Sequence, residues 1–344
     1  MLREAIVIVL GTVLLALAGG CDEPATTPAK RPTDAVGDPA IAKGSPTVAA
    51  AQKPVKVHDD AHLPNVFKVH DRVFSGGQPD GDDAFRTLAS LGVKTVISVD
   101  GAKPDVALAG KHGLRYVHLP HGYDGVPEDR AEELAKAVRE FDGPVYIHCH
   151  HGKHRSPAAA AVACVSAGLI APASALAILK AAGTNKNYRG LYSSAEDARP
   201  IDPQLLDALE VDFPEVAELP PLAEAMVNIE VRYDHLMQLA ANGWQPLANH
   251  PDLAPPHEAL LLREHFTELL RTEEVRRQPA DFRRLLAEGK GRAEALEDEL
   301  AEWDAAKPDR NLGQLTPAFE AVNQNCTACH TQFRDVPLDE KGRR

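Results

Sequence analysis

The sequence predicts an α/β domain, with a largely parallel sheet and flanking helices, followed by an all-α four-helix bundle. In the first half of the chain, short apolar β-branched runs alternate with helical stretches, a pattern typical of parallel sheets. After residue 221 the apolar residues recur only at helical spacing. A cluster of prolines at residues 200–221 separates the two halves, and the length of 344 residues exceeds that of most single domains.

The first residues have the composition of an export signal. Arg3 precedes an apolar run over residues 5–18 that is short for a spanning helix. The run ends in Leu17-Ala18-Gly19-Gly20-Cys21, which resembles the lipobox of bacterial lipoproteins, with alanine where that motif usually has leucine. The resemblance implies a lipoprotein signal peptide over residues 1–21, a lipidated Cys21 and a mature chain anchored on the periplasmic side of a bacterial membrane. An uncleaved anchor and a soluble secretory product are the alternatives, and both also export the chain.

The charge and the cysteines exclude two classes of protein. A net charge of -13 argues against a protein that wraps nucleic acid. Four of the five cysteines belong to motifs, Cys21 to the lipobox-like segment and Cys149, Cys326 and Cys329 to two motifs described below, so no disulfide framework is expected. The fifth, Cys164, lies in the alanine-rich stretch 158–167, where a small buried thiol is expected.

Composition also predicts the domain boundaries. Residues 22–62 are rich in Pro, Ala, Thr, Lys and Asp without a sustained apolar period, which predicts a disordered linker. Residues 201–220 form a second, Pro-rich linker. The α/β domain is therefore expected over residues 63–200, the helical domain over residues 221–337, and a polar tail over residues 338–344.

The α/β domain is predicted from three strands and three helices. The apolar runs over residues 93–99, 115–119 and 144–148 predict strands, and residues 82–90, 127–141 and 156–167 predict helices. Ligands in parallel sheets bind beyond the carboxyl ends of the strands. The last predicted strand runs directly into His148-Cys149-His150-His151-Gly152-Lys153-His154-Arg155-Ser156, so chemistry is expected in this loop.

This loop has the spacing of a phosphate-binding turn with a nucleophile. Five residues between Cys149 and Arg155 let the backbone curl around a tetrahedral anion, with N–H groups inward and the positive end of the next helix behind it. Gly152 permits the close approach, and Arg155 holds two oxygens with its planar fork. The positive surroundings favour the Cys149 thiolate, which attacks phosphorus, and Ser156 assists its later release.

With its flanking strand and helix, this segment resembles the cysteine-dependent protein phosphatases of the dual-specificity type, over residues 63–182. Residues 72–79 resemble the opening strand and turn of that family, and residues 92–99 resemble a further strand. The resemblance implies an enzyme that hydrolyses phosphomonoesters through a phospho-cysteine intermediate. Rhodanese-like sulfur transfer is the alternative chemistry, but the Arg155-Ser156 ending of the loop and the acidic loop upstream favour phosphoryl transfer.

The family also has a general acid on a loop upstream of the cysteine, and Asp124 is the best match in this chain. Such an acid protonates the leaving oxygen and then activates water on the phospho-cysteine. Asp124 is somewhat closer to Cys149 in sequence than the family usually shows, so Asp129 is an alternative. A turn residue at a helix start is the structural alternative for Asp124.

Four imidazoles crowd the loop. We expect His148 to orient the loop from behind, and His150, His151 and His154, with Lys153, to line the entrance and favour an anionic substrate. A metal site is the alternative, but consecutive loop residues point in different directions, and the curled loop is occupied by the anion.

The C-terminal half predicts four amphipathic helices and a covalent haem. The helices are expected over residues 222–241, 257–276, 280–306 and 315–334, an arrangement typical of an antiparallel four-helix bundle. In Cys326-Thr327-Ala328-Cys329-His330, the two thiols have the spacing that forms thioethers with one haem c, while the adjacent imidazole is the axial ligand of the iron. A zinc site would need a second ligand pair, and a thioredoxin-like pair would follow a strand.

A haem motif near the end of a four-helix segment is similar to the class II cytochromes c, over residues 221–336. The resemblance implies that Arg334, one turn after His330, is the basic residue next to the haem. It also implies a bulky residue of the first helix over the iron, and the candidates are Met226, Ile229, Tyr233 and Met237. Met226 is the predicted sixth ligand of the iron. The alternative is that these side chains only pack in the core.

These features support two functional hypotheses. The first is an exported, lipid-anchored phosphatase, acting on a phosphorylated protein or small molecule, fused to a cytochrome domain that senses redox state or a gaseous ligand. The second is a haem protein for electron transfer or gas binding, with a redox partner, in which the phosphatase-like domain only binds phosphate. The intact Cys149, Arg155 and Ser156 favour the first hypothesis.

Overall fold

The computed structural model describes residues 53–248, 250–302 and 312–341. The predicted signal peptide, including Cys21, and most of the first predicted linker lie outside these ranges. In the part of the chain that is described, every helix is too short or too polar to cross a bilayer.

A six-stranded sheet forms the centre of the α/β domain. Its strands are β1 (Val55–His58), β2 (Val66–His70), β3 (Val73–Gly77), β4 (Thr95–Ser98), β5 (Arg115–His118) and β6 (Val145–Cys149). Their order is β1-β2-β3-β6-β4-β5, with β3, β6, β4 and β5 parallel and both pairings of β2 antiparallel. The sheet is therefore mixed, whereas a largely parallel sheet was predicted. The reason is local: only the two residues 71–72 join β2 to β3, and so short a connection requires an antiparallel hairpin.

The first strand lies where the sequence predicted a disordered linker. Val55 and Val57 of β1 are exposed, so the strand buries little apolar surface, and its four residues Val-Lys-Val-His are too few to give a sustained apolar pattern in the sequence. Backbone pairing with β2 defines it. The turn that follows is held by Asp60, whose Oδ1 accepts hydrogen bonds from the backbone N–H groups of His62 and Leu63.

Seven helices surround or follow the sheet in this half of the described chain. They are α1 (Gly81–Ser90), α2 (Val106–Lys111), α3 (Glu128–Glu140), α4 (Arg155–Ser166), α5 (Ala175–Ala182), α6 (Arg189–Asp197) and α7 (Pro203–Ala208). Alternate residues of β6 face two different cores: Val145 and Ile147 pack with α3, α4 and α5, and Tyr146 packs with α1. All 12 residues of α4 are buried, because its many alanines let the helix approach the sheet closely.

The segment predicted as a Pro-rich linker packs against the α/β domain. Leu206 of α7 is buried in its core, and the carbonyl of Leu206 accepts a hydrogen bond of 2.8 Å from the Lys136 ammonium. Farther along, the His118 ring accepts from the Ala217 N–H at Nδ1, so its Nε2 donates to the Asp100 carbonyl at 2.7 Å. Burial lowers the pKa of His118, which keeps the ring neutral for these two bonds. The segment is thus folded along the sheet.

The C-terminal half contains four long helices, as predicted: α8 (Pro221–Ala241), α9 (Pro255–Arg271), α11 (Ala280–Ala301) and α12 (Leu312–Cys329). Two short helices are added, α10 (Glu273–Arg276) and α13 (Leu338–Lys341), and a π-helical turn follows α12 at His330–Arg334. Leu236, Leu262, Leu296 and Leu315, one from each long helix, are fully buried in a core of their own. The ring of Tyr233 on α8 stacks on Phe319 of α12 at 5.3 Å, which joins the first and last long helices.

Candidate active site

The phosphate loop, residues 149–155, lies at the carboxyl edge of the three parallel strands β3, β6 and β4. Cys149 is the last residue of β6, pairs in register with Gly77 of β3 and is 2% exposed. Helix α4 begins at Arg155, so its positive end lies directly behind the loop. The sheet and the helix therefore bring Cys149 and the N-terminus of α4 together, the arrangement that the sequence predicted for this loop.

The loop is curled tightly against the end of β3. Gly152 has a φ of +69°, and a Cβ atom at this position would overlap the backbone of Gly76 and Gly77. The Gln78 N–H donates to the His150 carbonyl at 3.0 Å, which closes the contact from the other side. Asn65 adds a bond of 2.9 Å from its side-chain amide to the Gly152 carbonyl. Asn65 was not predicted from the sequence, because its contact is 87 residues away along the chain.

The hydroxyl of Ser156 lies 3.3 Å from the sulfur of Cys149. It donates a hydrogen bond of 2.9 Å to the Gly76 carbonyl, so its oxygen accepts from the Cys149 thiol. When the sulfur is a thiolate, rotation of the hydroxyl directs its proton to sulfur instead. Ser156 is thus positioned to stabilise negative charge on Cys149.

Arg155 is buried beneath the loop, where its guanidinium lies 4.5 Å from the ring centroid of Tyr123. Burial alone would lower the pKa of Arg155, but the negative charge that Tyr123, Asp100 and Cys149 can carry raises it well above its ordinary value. The side chain therefore stays cationic in a site of low water content. Behind the loop, the Nε2 of buried His148 lies 2.6 Å from the Tyr116 hydroxyl, and burial lowers the pKa of His148 to about 4.

Asp124, the predicted general acid, lies on the loop that carries Tyr123 to the site. Its Oδ2 atom is 2.6 Å from the Lys341 ammonium, and its backbone carbonyl accepts a hydrogen bond of 3.0 Å from the Leu338 N–H. The C-terminal segment, predicted to be a polar tail, therefore contains helix α13 and binds the acid loop. Two ion pairs hold this segment against the α/β domain: Lys341 with Asp124, and Arg189 with Glu340.

A pocket opens beside the phosphate loop, and one of its walls is helix α8. Asp100 and Arg155 line it from the α/β domain, and Glu230 and Asp234 line it from α8. Asp100 is 2% exposed, its Oδ1 accepts from the Ala102 N–H, and its Oδ2 has no hydrogen-bond partner within the described ranges. These three carboxylates belong to no recognisable motif in the sequence, although Asp100 follows β4 at the same edge as the loop.

The three entrance imidazoles have different surroundings. The Nε2 of His150 lies 2.7 Å from an Asp234 oxygen, and this hydrogen bond raises the pKa of His150. His151 is exposed, and its ring centroid lies 4.3 Å from that of His150. His154 packs against Tyr188 at 4.7 Å, and burial lowers its pKa to about 4. Near neutral pH, His150 is therefore the imidazole most readily protonated. The side chain of Lys153 is exposed.

The predicted haem-binding residues occupy the end of α12. Cys326 and Cys329 are free thiols three residues apart, which places them on one face of the helix, and both contact the apolar core of the helical half. Burial lowers the pKa of His330 to about 3, so its imidazole is in the neutral form that can ligate iron. Met226 packs against the same core from α8. This set of donors fits the covalent attachment and axial ligation of a c-type haem.

Arg334, predicted next to the haem, points toward the phosphate site. Its guanidinium lies 4.1 Å from the ring centroid of Tyr123 and bonds the Asp335 carboxylate at 2.7 Å. Tyr123 thus contacts two guanidinium groups, Arg155 from the phosphate loop and Arg334 from the turn after α12. One aromatic ring therefore joins the two predicted sites.

The chain matches no family model and no curated protein. Several solved structures are similar to parts of it. TpbA from Pseudomonas aeruginosa, crystallised with phosphotyrosine, has 22% identity and a TM-score of 0.37 over 44% of this chain and 91% of its own. The catalytic core of the PP-IP phosphatase SIW14 from S. cerevisiae has 14% identity and a TM-score of 0.36 over 43% of this chain and 92% of its own. A DUF442 protein from Shewanella putrefaciens has 18% identity and a TM-score of 0.34 over 40% of this chain and 89% of its own.

Because Gly152 lies so close to β3, its replacement by alanine should lower the free energy of unfolding more than the same replacement of Gly168. Gly168 has a φ of +72° like that of Gly152, but a Cβ there would meet no atom within 4 Å. We expect Gly168→Ala to lower the free energy of unfolding by about 1–2 kcal/mol, the cost of strained backbone alone. Gly152→Ala adds the displacement of β3, a further cost of about 1–3 kcal/mol. Urea denaturation of both variants measures the difference, and equal losses would contradict the close approach.

Proposed function

We propose that this chain is a phosphatase that hydrolyses a phosphomonoester, of a protein or of a small molecule, through a phospho-cysteine intermediate on Cys149. One observation carries the proposal: Cys149 ends β6, 3.3 Å from the Ser156 hydroxyl, in a loop that turns into a helix beginning at buried Arg155. This arrangement supplies a nucleophile, an anion-binding turn and a fixed cation in one place.

In the proposed reaction the Cys149 sulfur attacks phosphorus. An S–P bond forms as the ester P–O bond breaks, and the leaving oxygen takes a proton from a carboxylic acid. Loop N–H groups and the Arg155 guanidinium hold the other phosphate oxygens throughout. Water then attacks phosphorus, the S–P bond breaks, and the same carboxylate accepts the water proton. Hydrogen bonding from Ser156 stabilises the departing thiolate.

We assign the general acid to Asp124, with Asp129 as the alternative from the sequence. The contact of Tyr123 with Arg155 brings the Asp124 loop to the phosphate loop, and Asp129 lies farther along in the first turn of α3. The salt bridge to Lys341 must open before Asp124 can carry a proton to the leaving group. The acid therefore acts only when α13 releases it.

Replacement of the nucleophile tests the proposal. We expect Cys149→Ser to lower phosphate release by at least about 10³-fold, because a neutral hydroxyl lacks the reactivity of the thiolate. Cys164→Ser is the matched control: this second cysteine lies inside α4, where burial raises the pKa of its thiol to about 12, and it lies outside the phosphate loop. The assay is phosphate release by the full chain from a panel of phosphotyrosine, phosphoserine and small phosphate esters. Full turnover in Cys149→Ser would refute the mechanism.

The general acid is tested by its dependence on the leaving group. We expect Asp124→Asn to lower kcat by about 10²–10⁴-fold for alkyl phosphates, which need a proton on the leaving oxygen. The loss should be much smaller for p-nitrophenyl phosphate, whose leaving group is stable as an anion. Asp129→Asn serves as the control. If Asp129→Asn shows the selective loss and Asp124→Asn does not, the acid is Asp129.

We also propose that Cys326 and Cys329 attach one haem c and that His330 is its axial ligand, with Met226 as the sixth ligand. The free thiols and the neutral imidazole support this assignment. A bound haem would supply electron transfer or the binding of a gaseous ligand. The contacts of Tyr123 with Arg334 and Arg155 support a sensory role, in which the haem domain affects the phosphatase site. Export and lipidation at Cys21 remain part of this proposal.

Covalent attachment is tested on protein made in cells that mature c-type cytochromes. We expect the wild-type chain to give the pyridine haemochrome spectrum of haem c, and the Cys326→Ala, Cys329→Ala double variant to bind no haem covalently. Cys164→Ala is the control and should keep its haem. Haem that extracts into acid acetone from the wild-type chain would contradict the assignment.

A further inference from the structure

The described residues contain one cluster of three side chains whose donor atoms could hold a metal ion: His150, His151 and Asp234. The donor atoms of these side chains all lie within 4.8 Å of one another. The two histidines belong to the phosphate loop, and Asp234 belongs to α8, 84 residues after His150. The fold therefore brings together ligands that are far apart in the sequence.

The geometry of the cluster is close to that of a tetrahedral metal site. Bonds of about 2.0–2.2 Å at tetrahedral angles place neighbouring donor atoms roughly 3.4 Å apart. In this cluster the His150–Asp234 pair is closer, at 2.7 Å, and the widest pair is within 4.8 Å. His151 is exposed, so its ring can turn toward the other two ligands without disturbing a packed core.

The side chains of His150 and His151 do not point in different directions, although this was expected from their consecutive positions in the loop. Their ring centroids lie 4.3 Å apart with an angle of 60° between the ring planes. The donor atoms of both rings lie within 4.8 Å of the Asp234 carboxylate, so both side chains face α8. The loop backbone remains available for an anion.

The charge around the cluster suits a cation. Glu230 lies one helical turn before Asp234 on α8 and lines the same pocket, which also includes Asp100. Three carboxylates therefore face a region whose cations are Arg155 and the loop imidazoles. Binding of a divalent cation would release the proton that His150 shares with Asp234, and the bound ion would supply the positive charge that this proton otherwise gives beside the three carboxylates.

We propose that His150, His151 and Asp234 form a binding site for a divalent transition-metal ion of the zinc class. Two imidazole nitrogens and one carboxylate oxygen are ligands that zinc prefers, whereas magnesium and calcium prefer oxygen ligands only. Three protein ligands leave a fourth position for solvent. Because the ligands come from the phosphate loop and from α8, the bound ion connects the helical half to the wall of the phosphatase pocket. This site does not depend on the proposed phosphatase reaction.

Metal content after equilibrium dialysis tests the site directly. The full chain is used with Cys149→Ser throughout, so that the loop thiol does not bind zinc, and all variants are compared in the same haem state. We expect Asp234→Asn and His151→Gln each to weaken the binding of one zinc equivalent by more than about tenfold. Zinc should also slow amide hydrogen exchange in α8 in the parent chain, and not in these variants. Magnesium at the same concentration should leave the exchange unchanged.

A second histidine–aspartate pair provides the matched control. His62 and Asp80 lie 3.1 Å apart on the surface, but no third ligand joins them within the part of the chain described. Asp80→Asn should therefore bind zinc as tightly as the parent chain. Circular dichroism checks that each variant is folded, and the exposed position of His151 keeps one variant informative if Asp234→Asn is unstable. Unchanged zinc affinity in folded His151→Gln would overturn the proposal.

Discussion

The contact between the phosphate loop and the end of β3 is the constraint on which the rest of the site depends. The loop at Gly152 lies so close to Gly76 and Gly77 that only glycine fits. That approach fixes the curvature of the loop, and the curvature sets where α4 begins. The start of α4 in turn determines where Arg155 and Ser156 lie, because both residues belong to the first turn of that helix. The Ser156 hydroxyl thereby comes to lie beside Cys149. The chemistry of the site is thus a consequence of how two backbones pack.

The helical half contributes to the same site from two directions. Helix α8 places Glu230 and Asp234 along the pocket, and the segment after α12 reaches the Asp124 loop through Arg334, Leu338 and Lys341. Each half has its own apolar core, but the polar contacts between them concentrate at the phosphate loop and its neighbours. A change in the packing of either α8 or α12 would therefore alter the surroundings of Cys149.

Local patterns in the sequence predicted the central strands, the long helices and the phosphate loop well, because each has a strong signal of its own. β6 is a continuous apolar run and α11 has a clear helical period. The missed features depend on contacts between distant residues. β1 is an exposed edge strand that only its pairing with β2 defines, and Asn65 acts through a partner 87 residues away. Asp234 and Glu230 belong to no motif in the sequence, and only the fold brings this part of α8 beside the phosphate loop.

Helix α4 shows how packing restricts the position of the phosphate loop. All 12 of its residues are buried, and five of them are alanines, so the helix occupies a slot with almost no spare volume between the sheet and its neighbours. Any larger side chain there would push the helix outward and carry the phosphate loop with it. The position of the phosphate loop therefore also depends on α4 residues that lie away from it, such as Ala159 and Ala163. On α8, by contrast, Glu230 and Asp234 are only half-buried, so a change of side chain there alters the wall of the pocket without displacing α4.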